Sequence, residues 1–134
     1  QLHYNLSASR TNVRLSYHSQ MHDAVDIGYT HSNNPLLALK VEQSGNPKNK
    51  VVVVTARQHP EETCGSVTCE GILEELLSGS SLALELLDSF SFIVLPMLNP
   101  DGVLYGNSRC NLAGLDINRQ WGTSAVKVFE YPDL

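Results

Sequence analysis

Val51-Val52-Val53-Val54-Thr55-Ala56, leading through Arg57 and Gln58 into His59-Pro60-Glu61-Glu62, decides the fold of this chain. A β-branched run that is apolar at both alternating sets of positions reads as a central strand, covered on both faces. Such strands belong to parallel or mixed sheets, where ligands gather beyond the carboxyl ends of the strands. His59 and Glu62 stand at that place. An imidazole and a carboxylate three positions apart can give zinc two donors. The same residues also suit a plain helix start, with Pro60 early and two glutamates favourable to the helix dipole. No histidine follows His59, so no later one completes a metal site begun here.

Toward the C-terminus, Val67, Ile72, Leu73, Leu76 and Leu77 recur at helical spacing and predict a helix over 66–78, stopped by Gly79. Leu82 to Leu87 predicts a second short helix, and Phe90 to Leu95 another apolar strand closed by Pro96. Two strands joined by helices make a βαβ unit with a right-handed crossover. Asn99-Pro100-Asp101-Gly102 has the composition of a turn, on the same sheet edge as His59. Toward the N-terminus, Leu36 to Val41 predicts a strand after a polar turn at 31–35, and 44–49 a loop. Leu15, Met21, Ala24 and Val25 could share one face of a helix over 16–26. The predicted class is α/β, with a mixed, largely parallel central sheet flanked by helices.

Arg109, Asn118 and Arg119 form a second polar group, beside Trp121. An arginine fork takes a carboxylate bidentately and a neighbouring amide adds donors, which suits the free terminus of a peptide. The plainer reading is a surface arginine paired with Asp116 or Asp101. His18 and His22, four apart, could hold a metal on a helix, though a solvated helical face accounts for them as well.

A chain of 134 residues has room for one domain. Its net charge of -5 argues against nucleic acid as a partner, because no basic stripe exists to neutralise phosphates. No apolar run reaches about 18 residues, which argues against a membrane-spanning helix. Three cysteines cannot all pair within one molecule, and no signal pattern precedes them, so a reducing, cytoplasmic setting is expected. The first residue is Gln1 rather than Met, which leads to the expectation of a piece of a longer sequence.

Three segments in series carry a resemblance: Thr55 to Thr63 around His59-Pro60-Glu61-Glu62, Leu95 to Val103 around Asn99-Pro100-Asp101-Gly102, and Gly106 to Trp121 around Arg109 and Asp116-Ile117-Asn118-Arg119. They resemble zinc carboxypeptidases of the carboxypeptidase A type, and among those the cytosolic carboxypeptidases that trim tubulin tails. The resemblance implies that His59 and Glu62 are two of three zinc ligands and that Zn2+ is the cofactor. It implies that Arg109 polarises the scissile carbonyl and that Asn118 and Arg119 grip the substrate's terminal carboxylate. The partner implied is a peptide or protein C-terminal tail, with acidic, tubulin-like tails as one candidate.

The match runs from about Leu36 to Trp121. This divides the chain into a variable segment over 1–34, a carboxypeptidase-like core over 35–121 and an unmatched tail over 122–134, a single partial domain incomplete at its C-terminus. Glu61 stands where relatives often carry glycine or arginine. The third ligand and the general-base glutamate have no counterpart. The alternative is a truncated or degenerate copy acting as a non-catalytic binding module.

Overall fold

The computed structural model describes residues 22–43 and 50–122, with backbone alone for 22–26. Four strands and three helices alternate along it. β1 (His22–Tyr29) and β2 (Pro35–Val41) form an antiparallel hairpin, and β3 (Val51–Thr55) follows. Helices α1 (Thr63–Leu76) and α2 (Ser81–Ser89) lead to β4 (Ser91–Leu95), then α3 (Pro100–Tyr105), and a single 3-10 turn covers Ile117–Arg119. The sheet order is β1-β2-β4-β3. It is mixed, as expected. Parallel pairing among the described strands is confined to β3 with β4, and the β1–β2 and β2–β4 pairs are antiparallel, where a largely parallel sheet was predicted.

Register explains which face is buried. Val41 and Leu39 of β2 lie beside Phe92 and Val94 of β4, which lie beside Val52 and Val54 of β3. This face packs on Cys69, Leu73, Leu76 and Leu77 of the α1 region and on Leu87 of α2, forming the core. α1 and α2 form where the apolar spacing predicts them. α2 is capped by the Ser80 hydroxyl, which accepts from the Ala83 amide at 3.0 Å.

Two expectations are corrected. Among the described residues β3 is not a central strand covered on both faces: β4 alone pairs with it, and Val51 and Val53 are 52% and 59% exposed. Its valine run is explained by one face against the helices and one left open. The helix predicted over 16–26 is the second correction, since residues 22–26 belong to β1 and 16–21 lie outside the described residues. Val25, Ile27 and Tyr29 alternate with a period of two, and β2 supplies the ladder of hydrogen bonds that a short polar helix cannot match.

The hairpin is fastened to the other end of the described chain. Thr30, Ser32 and Asn34 all donate to the buried Asp101 carboxylate: Thr30 Oγ1 and Asn34 Nδ2 reach Oδ1 at 2.6 and 2.8 Å, and the Ser32 amide reaches Oδ2 at 3.1 Å. Among the described residues Asp101 pairs with no arginine. Asn99-Pro100-Asp101-Gly102 opens a helix where the sequence predicts a turn. The Asn99 side chain caps α3 by accepting from the Gly102 amide at 2.9 Å, and Pro100 stands at the first helical position.

Candidate metal and carboxylate site

The parallel pairing of β3 and β4 brings their carboxyl-end loops together. The Leu98 amide donates to the Ala56 carbonyl at 2.9 Å and the Asn99 amide to the Arg57 carbonyl at 3.1 Å. Gly102 lets α3 approach closely: a Cβ there would lie 2.8 Å from Asn99 side-chain atoms and closer still to the Pro60 ring. Arg57 holds the loop from behind. Its backbone takes a φ of 52°, an uncommon conformation for a non-glycine residue. Its guanidinium donates to the Pro60 carbonyl from Nε and Nη2 at 3.0 and 2.7 Å, and to the Ser66 hydroxyl from Nη1 at 3.1 Å.

His59 is thereby buried and fixed at both ring nitrogens. Nδ1 lies 3.0 Å from Oε1 of Glu62, and Nε2 lies 3.0 Å from Oδ1 of Asp116. Glu62 is the backbone N-cap of α1, and its side chain makes no capping bond and stays half exposed. Both carboxylates raise the proton affinity of His59, Glu62 more than Asp116, and together they outweigh burial, which opposes it. At Asp116 burial pushes the carboxyl up. Hydrogen bonds from His59, Arg109 and the Asn118 amide prevail and hold it below the usual carboxylate range.

The segment after α3 brings the remaining groups. Asn107 Nδ2 donates to the Cys110 carbonyl at 2.9 Å, and the Asn111 side chain accepts from the amides of Ala113 and Leu115 at 3.0 Å. These bonds shape the loop that carries Arg109 and Asp116. Arg109 donates from Nε to Asp116 Oδ2 at 2.7 Å, the arginine–aspartate pairing that the plainer sequence reading allows for. That contact commits one of the five guanidinium donors. Glu61 and Ser108 tie this loop to the His59 loop. The Glu61 amide donates to the Ser108 carbonyl at 3.1 Å, and the Ser108 hydroxyl donates to Glu61 Oε2 at 2.7 Å.

Asn118 and Arg119 lie in the 3-10 turn, which begins where Asp116 Oδ1 accepts from the Asn118 amide at 2.9 Å. Both side chains are exposed, and Arg119 pairs with no carboxylate among the described residues. Asp116 thus joins His59 to Arg109, Glu62 meets the opposite nitrogen of the His59 ring, and Asn118 and Arg119 follow two and three positions after Asp116. His18 lies outside the described residues. His22 is the first residue of β1, not part of a helix with histidines four apart.

Zinc fits the donors present. Tetrahedral donors at about 2.0–2.1 Å from zinc lie roughly 3.3 Å from each other. His59 Nδ1 and Glu62 Oε1, 3.0 Å apart, are near that spacing. Asp116 holds the other ring nitrogen, the arrangement that sets the tautomer and orientation of a metal-bound histidine. Among the described residues no group of three or more His, Cys, Asp and Glu could enclose a metal. The site would therefore offer a metal two protein donors among the described residues.

Sequence reasoning missed Asp116, Arg57 and Ser108 as parts of the site. Asp116 was legible only as an arginine's surface partner. Its one local signal is its place before Ile117-Asn118, where an Asx side chain caps a turn.

Comparison with known proteins points to one family. A profile of the zinc carboxypeptidase family (Peptidase_M14) matches residues 11–131. Cytosolic carboxypeptidase 3 of Bos taurus is 51% identical over 87 residues, covering 65% of this chain and 9% of that protein. Cytosolic carboxypeptidase 2 of Homo sapiens is 55% identical over 80 residues, covering 60% of this chain and 9% of that protein. Among solved structures, a metallo-carboxypeptidase from Burkholderia cenocepacia superposes with a TM-score of 0.72 at 33% identity, over 84% of this chain and 32% of that one. One from Pseudomonas aeruginosa gives 0.70 at 26% identity, over 84% and 31%. The chain spans under a tenth of those two relatives' length and about a third of the two solved chains.

Proposed function

The chain belongs to the zinc carboxypeptidase family, and on that premise we propose that it carries the metal-ligand, oxyanion and carboxylate-recognition elements of an enzyme that hydrolyses the last peptide bond of a peptide or protein. The observation that carries the proposal is the convergence of His59 Nδ1 and Glu62 Oε1, with Nε2 of the same ring held by Asp116. His59 and Glu62 would hold the zinc that membership of the family implies. When bound, the metal supplies the Lewis acidity that amide hydrolysis near neutral pH requires.

The chain's own residues supply the rest. Arg109 places a fixed positive charge beside the site, where it steadies negative charge that develops on the scissile carbonyl oxygen. Asp116 keeps that guanidinium and the His59 ring in register. Asn118 and Arg119 receive the free α-carboxylate, and their spacing selects the terminal bond over internal ones. Hydrolysis consumes one water and releases the terminal amino acid.

The finer reading, removal of glutamates from acidic, tubulin-like tails in the cytoplasm, is supported by the resemblance to cytosolic carboxypeptidases. The Pseudomonas aeruginosa structure holds (2-guanidinoethylmercapto)succinic acid, a free dicarboxylic acid, which supports carboxylate recognition in this fold. Among the described residues, no helix is long and apolar enough to cross a membrane.

A second reading follows from the two-ligand site: the 134-residue chain by itself is a carboxylate-binding module without turnover. Dialysis and metal analysis separate the two. We expect less than one zinc per chain, lost further in His59→Ala, and no hydrolysis of an N-acylated dipeptide. One tightly held zinc together with hydrolysis abolished by His59→Ala overturns the module reading. Zinc content unchanged by both His59→Ala and Glu62→Ala overturns the metal assignment.

A further inference from the structure

We propose that Trp121 is a positioning residue that orients the Asn118 side-chain amide toward a bound carboxylate, an inference that rests on the carboxylate-binding role given to Asn118 above. Asn118 can help to grip an anion only through its Nδ2 hydrogens, because its Oδ1 repels a carboxylate. The two ends of a primary amide are nearly the same size, so packing alone does not choose between them. Here a chemical contact chooses: the Trp121 indole N–H donates to Asn118 Oδ1 at 3.1 Å. An indole nitrogen only donates, so it can face Oδ1 and not Nδ2. With Oδ1 occupied, both Nδ2 hydrogens are left for a ligand.

The backbone is set independently. The Asn118 amide is held by Asp116 Oδ1 at 2.9 Å, and the 3-10 turn closes with the Arg119 amide on the Asp116 carbonyl and the Gln120 amide on the Ile117 carbonyl, each at 3.1 Å. Rotation of the terminal amide is the freedom that remains, and the indole removes it. Trp121 is 64% exposed, so core packing does not account for its place. Fixing the donor before the ligand arrives lowers the entropic cost of binding.

The test uses the 134-residue chain with N-acetyl-leucine as probe and N-acetyl-leucine amide as the uncharged control, followed by NMR. The chain has a single tryptophan, so its indole N–H signal is unambiguous. Wild type should bind the acid in preference to the amide, and the Asn118 side-chain NH2 signals should shift. Trp121→Phe, which keeps an aromatic ring and loses the donor, should weaken binding of the acid by about threefold to tenfold, the scale of one hydrogen bond. The double variant with Asn118→Ala should bind no more weakly than Asn118→Ala alone. In Asn118→Ala the indole signal should move toward its solvent-exposed position, a readout that needs no ligand. If Asn118→Ala weakens binding and Trp121→Phe does not, the positioning inference is overturned while the carboxylate role stands. If Asn118→Ala binds the acid as wild type does, the carboxylate role falls and the inference falls with it.

Discussion

Asp116 serves three partners with one carboxylate: the His59 ring, the Arg109 guanidinium and the Asn118 amide. No pattern of types and spacings announces it, because His59 lies 57 positions away in sequence and the contact exists only after folding. By contrast, His59, Glu62, Arg109, Asn118 and Arg119 were legible as types at characteristic spacings. Asp116→Asn keeps the shape and removes the charge, so zinc affinity of the chain should fall by about tenfold or more, the usual cost of losing the partner of a metal-bound histidine. Competition with a chelating dye would measure it, and an unchanged affinity would remove Asp116 from the site. Cys69 is another residue whose environment departs from its type. Burial pushes its thiol up from 9.0 to about 11. The folded state therefore holds this proton more tightly than the unfolded state. Its contribution to stability is complete below pH 9 and is lost as pH rises toward 11, on the order of 2 kcal/mol. Urea titrations at pH 8 and pH 11 should show a smaller loss for Cys69→Ala than for wild type.

At the scale of elements, α1, α2 and three of the four strands could be read from apolar spacing, because each packs one face on a common core. β1 could not, since its strand character depends on β2 as a partner. The meeting of α3 with the His59 loop was equally invisible. It depends on Gly102, where a side chain would strike the Pro60 ring and the Asn99 cap. Gly102→Ala should cost about 1–3 kcal/mol, as overpacking of a close contact does. It should also lower zinc occupancy by shifting Pro60 next to His59. A Gly102→Ala protein with wild-type melting temperature and zinc content would show that the contact relaxes freely.

For the molecule as a whole, β3 is where expectation and structure part. Its run of valines signalled burial on both faces, and the alternation of exposure is set by helices packing on one face alone, which composition does not encode. Val51 and Val53 leave apolar side chains on the face the helices do not cover, on a strand whose only neighbour among the described residues is β4, so this region is able to associate with another chain. Val53→Lys should reduce concentration-dependent association in sedimentation velocity without lowering stability by more than about 0.5 kcal/mol. Equal association by both proteins would clear the edge of that role. The same sheet order has a consequence for synthesis. β4 lies between β2 and β3 and is made after both, so among the described strands β3 has no partner, and β2 only β1, until Leu95 leaves the ribosome. At about 5–20 residues per second, β3 waits roughly two to eight seconds for its partner, an interval in which its apolar side chains are open to aggregation.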